Sequence, residues 1–248
     1  MEGCVRQLLG LPSRPAVMLV SLFDRSGTTV QDEHRAVARH YGLPQVSVKN
    51  AIWPRFERGE LAWSDYSGDG VHPNAKGHPY VASLVIACLE RRLAEWRAKG
   101  AADGGATARA PSPLYGTDYD CGSLVTASGL RVKENVGFGP GPRRECWRDV
   151  LAGTKPGDRL VFETEAKTLT VLYWMLRADF GRAKVTVDGE EVATLEGWFE
   201  ATWGGKATPR EIYRNRPGRH VVAIEIVGDR APLSTGSRFE LCAILEQK

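Results

Sequence analysis

Residues 160–179 read LVFETEAKTLTVLYWMLRAD, two strand-like runs separated by Ala166 and Lys167. Apolar and β-branched side chains recur there at a period of two, as in strands that bury one face. Asp188-Gly189, further along, suits a tight hairpin turn whose residues take a positive φ. Several short strands with no helical pattern between them predict an antiparallel, jelly-roll-like β-sandwich over residues 114–248. The other strand-like runs are 183–189, 191–195, 220–228 and 238–246.

A composition change separates this region from the preceding one. Residues 99–113, KGAADGGATARAPSP, are rich in Gly, Ala, Ser and Pro and contain no large apolar residue. Such a composition is typical of a linker. The sequence therefore predicts two domains, residues 1–98 and 114–248, joined by residues 99–113.

The first domain alternates between strand-like and helix-like segments. Residues 15–23, PAVMLVSLF, form a continuous apolar run, typical of a parallel-sheet strand covered on both faces. Residues 31–41 predict an amphipathic helix that Gly42 ends, and residues 45–48 a second strand. This alternation predicts an α/β domain of the doubly wound, three-layer type.

Two further segments complete that domain. Residues 49–59, KNAIWPRFERG, predict a short helix or loop broken by Pro54. Residues 78–99 predict a long helix, because apolar side chains recur along one face. That face comprises Val81, Leu84, Val85, Cys88, Leu89 and Trp96.

Composition argues against several functional classes. The net charge of +3, from 33 basic and 30 acidic residues, is too balanced for a nucleic-acid-binding surface. No apolar run is long enough for a membrane-spanning helix, and the first 15 residues lack the features of a signal peptide. The five cysteines are scattered and include no CxxC pair, so neither a zinc ribbon nor a disulfide framework is indicated. We expect no metal and no organic cofactor, while the compartment and the oligomeric state are not indicated.

The most informative motif is Asp69-Gly-Val-His72-Pro73-Asn74-Ala-Lys-Gly77-His78. It places a carboxylate three residues before an imidazole, in a loop at the entrance to the long helix. A hydrolase that activates a hydroxyl nucleophile needs an imidazole base whose second nitrogen is fixed by an acceptor. We therefore predict that Asp69 orients His72 through a hydrogen bond. The alternative is a surface turn in which Asn74 caps the following helix.

This motif and its surroundings resemble the last sequence block of the SGNH, or GDSL-like, ester hydrolases. In that family an Asp-x-x-His-Pro loop precedes the final helix of the α/β domain. The resemblance covers roughly residues 2–98 and implies that Asp69 is the orienting acid and His72 the general base of a Ser-His-Asp triad. It also implies an enzyme that hydrolyses carboxylic esters, with acyl or acetyl esters of carbohydrates as candidate substrates.

The chain departs from the family pattern at the nucleophile. The Gly-Asp-Ser block and the Gly and Asn blocks that provide the oxyanion donors are not found, so no serine and no substrate-binding residue is assigned. We expect residues 1–98 to be the carboxyl-terminal part of a longer catalytic domain and the chain alone to be inactive. If the chain had its own nucleophile, Ser67 would be the first serine to test. The alternative function is a non-catalytic module in which the sandwich binds carbohydrate or protein.

Tryptophans in the second domain suggest how such a module would bind. Residues 197–205, GWFEATWGG, contain Trp198 and Trp203, and Trp147 and Trp174 precede them. Exposed tryptophans on a sandwich can stack on sugar rings. Alternatively, these side chains fill the core or the seam between the domains, as buried aromatic residues commonly do.

Overall fold

The computed structural model describes residues 1–13, 15–98, 111–117 and 120–248. The chain divides into two compact units, Met1–Asp120 and Cys121–Lys248. Most of the predicted linker, residues 99–110, lies outside the described residues.

The first unit combines helices with a small parallel sheet. In chain order the elements are α1 (Glu2–Gly10), β1 (Leu19–Ser21), α2 (Gln31–His40), β2 (Gln45–Ser47), α3 (Val48–Glu57), α4 (Trp63–Tyr66) and α5 (Gly77–Ala98). Strands β1 and β2 run parallel, with Val20 opposite Val46. Helix α2 ends as predicted, since Gly42 takes a φ of 63° and the next amide, that of Leu43, bonds back to the carbonyl of Ala38.

The apolar surface of this unit is only partly covered. In and after β1, Leu19 and Ser21 are buried, whereas Val20 is 36% exposed and Leu22 45% exposed. The prediction of a strand covered on both faces is therefore wrong. The predicted apolar face of α5 is also only partly buried, because Leu89 and Trp96 are more than half exposed.

Helix α3 does not break at Pro54, contrary to the sequence prediction, and continues to Glu57. Its first turn is capped by the Ser47 side chain, which accepts a hydrogen bond from the Asn50 amide. Proline costs the helix one amide donor. Trp53, which precedes the proline, and Phe56, two residues after it, are anchored by ring contacts with Phe23 at centroid distances of 5.7 and 6.2 Å. Tertiary packing of these rings explains why the helix persists.

Residues 111–117 are attached to the first helix through Glu2. The buried Glu2 carboxylate accepts hydrogen bonds from the Leu114 amide at 2.5 Å, the Tyr115 amide at 2.8 Å and the Tyr41 hydroxyl at 2.5 Å. Burial alone would raise the pKa of Glu2, but these donors bring it below its ordinary value. The first unit therefore includes residues on both sides of the undescribed segment.

The second unit is built from two antiparallel sheets. In chain order the strands are β3 (Gly122–Thr126), β4 (Arg131–Val136), β5 (Gly139–Pro140), β6 (Leu151–Gly153), β7 (Arg159–Thr164), β8 (Thr168–Met175), β9 (Arg182–Val187), β10 (Glu190–Glu196), β11 (Lys206–Tyr213), β12 (His220–Ile226) and β13 (Phe239–Gln247). One sheet has the strand order β10-β9-β12-β7-β4 and the other has the order β11-β8-β13-β6-β5, with β3 also pairing with β13.

An apolar core joins the two sheets. Leu160 and Ile224 from one sheet and Val171, Leu241 and Phe239 from the other belong to it, and all are fully buried. The molecule as a whole is thus mostly β-structure with few helices, and the predicted sandwich is confirmed. No helix in the described part of the chain is long and apolar enough to cross a membrane.

Local turn chemistry fixes the edges of the sheets. The predicted hairpin joins β9 to β10, where Asp188 and Gly189 take φ values of 54° and 89°. Strand β11 was not predicted, because Pro209 interrupts its pattern. It is the outermost strand of its sheet, where the missing amide of a proline is tolerated.

Truncating a core side chain should destabilise the second unit. Phe239 is fully buried and stacks on Tyr173 with ring centroids 5.5 Å apart. We expect Phe239→Ala to lower the free energy of unfolding of this unit by about 3–5 kcal/mol. Leu233, which is 64% exposed, is the control, and its change to alanine should alter that free energy by less than about 0.5 kcal/mol. Guanidinium melts followed by circular dichroism measure both, and equal effects would contradict the assignment of the core.

Candidate active site

The candidate site is the loop between α4 and α5, residues 67–76. Its two ends are brought together by an antiparallel bridge between Ser67 and Pro73 and by a hydrogen bond from the Asn74 amide to the Tyr66 carbonyl at 2.8 Å. The buried Ser67 hydroxyl donates to the carbonyls of His72 at 2.7 Å and Asp69 at 3.0 Å. The loop is thereby closed into a tight turn.

Asp69 uses its two carboxylate oxygens for different purposes. Oδ1 accepts hydrogen bonds from the backbone amides of Val71 and His72, both at 2.7 Å. Oδ2 lies 2.8 Å from Nδ1 of the His72 ring. The two amides and then the imidazole hold the pKa of Asp69 well below its ordinary value of 3.8. Asp69 is therefore a carboxylate throughout the physiological pH range.

The contact with Asp69 also defines the state of the His72 ring. A carboxylate at Nδ1 favours the tautomer that carries its proton there, which leaves Nε2 as an acceptor. The His72 side chain is 81% exposed, and Nε2 has no hydrogen-bond partner among the described residues. The predicted hydrogen bond is thus present, in a form that can take a proton from an incoming group. A catalytic role for the pair stays a prediction at this point.

The serine singled out as a possible internal nucleophile is not available for that chemistry. Ser67 is only 2% exposed, and its hydroxyl is directed at backbone carbonyls rather than at Nε2 of His72. Its position indicates a structural role within the turn.

The capping role considered as an alternative coexists with the Asp69–His72 contact. The Asn74 side-chain oxygen accepts from the amides of Lys76 at 2.8 Å and Gly77 at 2.9 Å, and its amide group donates to the Ser64 carbonyl at 2.9 Å. His78 is the second residue of α5 and is exposed. No group of three His, Cys, Asp or Glu side chains able to hold a metal is found in the part of the chain that the structure describes.

An aromatic cluster beneath the loop was not foreseen. Tyr66 is fully buried and stacks on Phe23 at 5.2 Å, and Trp63 contacts both rings. The Trp63 indole N–H donates to the Asp69 carbonyl at 2.6 Å. The aromatic residues at 53, 56, 63 and 66 were the available signal, but sequence spacing does not show that they converge on Phe23.

An open cleft lies beside the loop. It has a volume of about 620 Å³ and is lined by Arg25, Trp63, Ser64, Ser67, Gly68, Asp69 and Gly70. The backbone amide of Arg25 donates to the Gly70 carbonyl at 2.8 Å, which fixes the backbone of the exposed Arg25 next to the loop of residues 67–76. The cleft thus lies beside Asp69, and His72 is not among its lining residues.

The four tryptophans of the second unit have different environments. Trp174 is buried and Trp147 packs with it in a small apolar cluster, as expected for aromatic residues of a core. Trp198 is half-buried, whereas Trp203 is 69% exposed.

The close approach of α5 to α4 should make Gly77 indispensable. A Cβ atom at this position would lie 2.0 Å from the Tyr66 carbonyl oxygen, which is backbone and cannot move freely. We expect Gly77→Ala to destabilise the first unit by about 1–3 kcal/mol or more and to speed hydrogen exchange of the Asn74 amide. Gly68→Ala, in the same loop, places its Cβ in open space and should leave both quantities unchanged. Similar behaviour of the two variants would contradict the described loop geometry.

The ionisation of Asp69 gives a second test. Because its folded-state pKa is depressed, its contribution to loop stability is complete above the unfolded value near 4 and is lost only as the pH falls toward the folded pKa. NMR of the Asp69 carboxyl carbon should therefore show no titration step near pH 3.8. In His72→Ala the two amide donors remain, so the pKa should stay below its ordinary value but rise relative to the unaltered protein. A midpoint of 3.8 in the unaltered protein would exclude the described hydrogen bonds.

Comparisons with known proteins support an esterase-like or carbohydrate-binding role. No protein-family model and no curated protein matches the chain. Among solved structures, a two-domain esterase (CEX) active on acetylated mannans is 26% identical, with a TM-score of 0.86 over 100% of this chain and 68% of that one. The same type of esterase co-crystallised with mannopentaose is 25% identical, with a TM-score of 0.84 over 100% of this chain and 67% of that one. The chain therefore shares its fold with a carbohydrate esterase.

Proposed function

We propose that the chain contributes the acid–base pair of an SGNH-type carbohydrate esterase, with Asp69 as the orienting acid and His72 as the general base. The observation on which this rests is the 2.8 Å contact between Asp69 Oδ2 and His72 Nδ1, with Nε2 directed away from any described partner. The substrates we propose are acetyl esters on hexopyranose polysaccharides of the mannan class, by analogy with the similar esterase.

His72 would transfer one proton in each half of the reaction. Nε2 takes the proton of a serine hydroxyl as the serine oxygen attacks the ester carbonyl carbon, and then gives it to the departing sugar oxygen. Water attacks the resulting acyl-serine as it loses a proton to Nε2. That proton then passes to the serine oxygen as the acyl–serine bond breaks, and the acetic acid released loses its remaining acidic proton to solvent. Asp69 stays ionised throughout and stabilises the imidazolium, which its low pKa permits.

The serine and the oxyanion donors are proposed to come from polypeptide outside these 248 residues. Within the described residues no serine hydroxyl is bonded to Nε2, and Ser67 is used by the turn. The exposed Val20 and Leu22 at β1 and the exposed Ile86 and Leu89 on α5 offer an apolar surface for such a segment. The esterase that is 26% identical has a further 32% of its chain (100% minus 68%) that this chain does not match. That part is long enough to include a segment with a serine and oxyanion donors.

Activity measurements on variants test this proposal. The 248-residue chain alone should hydrolyse 4-nitrophenyl acetate no faster than the same concentration of free imidazole, because losing a triad nucleophile typically costs about a millionfold in kcat. A longer protein that includes the residues encoded before Met1 in the same reading frame should release acetate from acetylated mannan. In that protein His72→Ala should reduce kcat by about 10⁴-fold or more, whereas His78→Ala, also an exposed histidine of the motif, should not.

Three results would contradict parts of the proposal. Rapid turnover by the chain alone that is lost on changing one of its own serines would place the nucleophile inside these residues. Full activity of His72→Ala in the longer protein would remove His72 as the base. Absence of any acetate release would favour the alternative that the chain is a non-catalytic binding module.

A further inference from the structure

The loop that joins β10 to β11, residues 197–205, connects the outermost strand of one sheet to the outermost strand of the other. Both of its ends are fixed by the sandwich. The Gly197 amide donates to the Gly181 carbonyl at 2.9 Å, and the Gly197 carbonyl accepts from the Leu176 amide at 3.0 Å. At the other end, Gly205 lies so close to Trp174 that a Cβ there would be 2.3 Å from the indole nitrogen. The loop is therefore held at both ends.

Within this loop, Trp203 is presented in a supported orientation. It makes a T-shaped contact with Phe199 at 5.1 Å, and the Lys206 ammonium lies 4.6 Å from the centre of the Phe199 ring. Despite that support, 69% of Trp203 is exposed. Exposing so large an apolar side chain forgoes the stabilisation that burial would give. Fixing it in place lowers the entropy cost of binding a ligand against it.

A small cavity and several polar groups lie beside the loop, next to the residues that flank Trp203 in sequence. The cavity has a volume of about 260 Å³ and is lined by Leu176, Arg177, Ala201, Thr202 and Gly204, the last two being the neighbours of Trp203 in sequence. Arg177 and Lys206 are exposed and offer charged N–H donors, and the Thr202 hydroxyl can donate or accept. An apolar platform, hydrogen-bond donors and a small cavity thus occur together.

We propose that Trp203, Arg177 and the adjoining cavity form a binding site for the pyranose rings of a neutral polysaccharide. A pyranose has a face of C–H groups, which suits the indole, and a rim of hydroxyl groups, which suits the arginine and threonine side chains. A protein partner fits less well, because protein hot spots lie at the centre of a larger patch of surrounding contacts. Among the residues of this loop, all of which the structure describes, Trp203 is the only aromatic side chain that is largely exposed. The choice of mannan as the polysaccharide rests on the proposed function, whereas the site itself does not.

Binding to deacetylated glucomannan tests the site without any catalysis. In affinity electrophoresis the intact 248-residue chain should be retarded by glucomannan in the gel, and Trp203→Ala should weaken the interaction by at least about tenfold. Trp96→Ala is the matched control, because Trp96 is also exposed, at 54%, and lies on α5 of the other unit. Trp203→Phe should retain most of the affinity, since it preserves an aromatic ring.

The outcomes separate this inference from the proposed function. Equal retardation of Trp203→Ala and the unaltered chain, or no retardation of either, would overturn the inference whatever the enzyme activity. Retardation by polygalacturonate that exceeds that by glucomannan and disappears in 0.5 M salt (a screening length of about 4 Å) would show ionic capture by Arg177 and Lys206 instead. Normal retardation of His72→Ala supports a binding site independent of the acid–base pair, and loss of retardation in that variant would overturn it.

Discussion

The candidate site depends on the hydrogen bonds that the Asp69 carboxylate accepts. One oxygen folds the turn by accepting two backbone amides, and the other holds the imidazole. The side chains of Asp69 and His72 are largely exposed, at 55% and 81%, so packing against neighbouring side chains cannot hold them in position. The geometry is maintained from beneath instead, where Ser67 and the Trp63 indole bond to carbonyls of the turn. A solvated Asp–His pair can be well oriented only when its backbone is fixed in this way.

The features that the sequence predicted correctly are those set by short-range chemistry. The Asp69–His72 contact, the cap at Asn74 and the hairpin at Asp188-Gly189 each involve hydrogen bonds or dihedral angles within a few residues. Six strands of the second unit (β7, β8, β9, β10, β12 and β13) followed from their alternating pattern for the same reason, whereas β3, β4, β5, β6 and β11 were not predicted. These predictions needed no knowledge of distant contacts.

The features that the sequence did not predict depend on what packs against what. Helix α3 passes through Pro54 because the neighbouring rings are anchored on Phe23, which is 30 residues away in sequence (53 minus 23 for Trp53). Val20, Leu89 and Trp96 have the apolar character of core residues, yet they are exposed, because no described element covers them. Hydrophobic periodicity indicates which face can be buried and does not reveal whether a partner is present. For the same reason, the sequence could not decide whether Trp203 is exposed or buried.

A second Asp–His pair shows which property of the first is functionally informative. In the sandwich, Asp188 Oδ2 lies 2.8 Å from Nδ1 of His220, and Asp188 Oδ1 accepts the Val221 amide at 2.9 Å, much as Asp69 does in its own loop. However, His220 is only 6% exposed, and its Nε2 faces the Arg216 carbonyl at 3.0 Å. Both of its ring nitrogens contact acceptor oxygens within the same unit, so this ring joins a hairpin to a strand and presents neither nitrogen to solvent. The same carboxylate contact therefore serves structure in one unit and is compatible with catalysis in the other, and the difference is the unoccupied, solvent-exposed Nε2 of His72 within the described part of the chain.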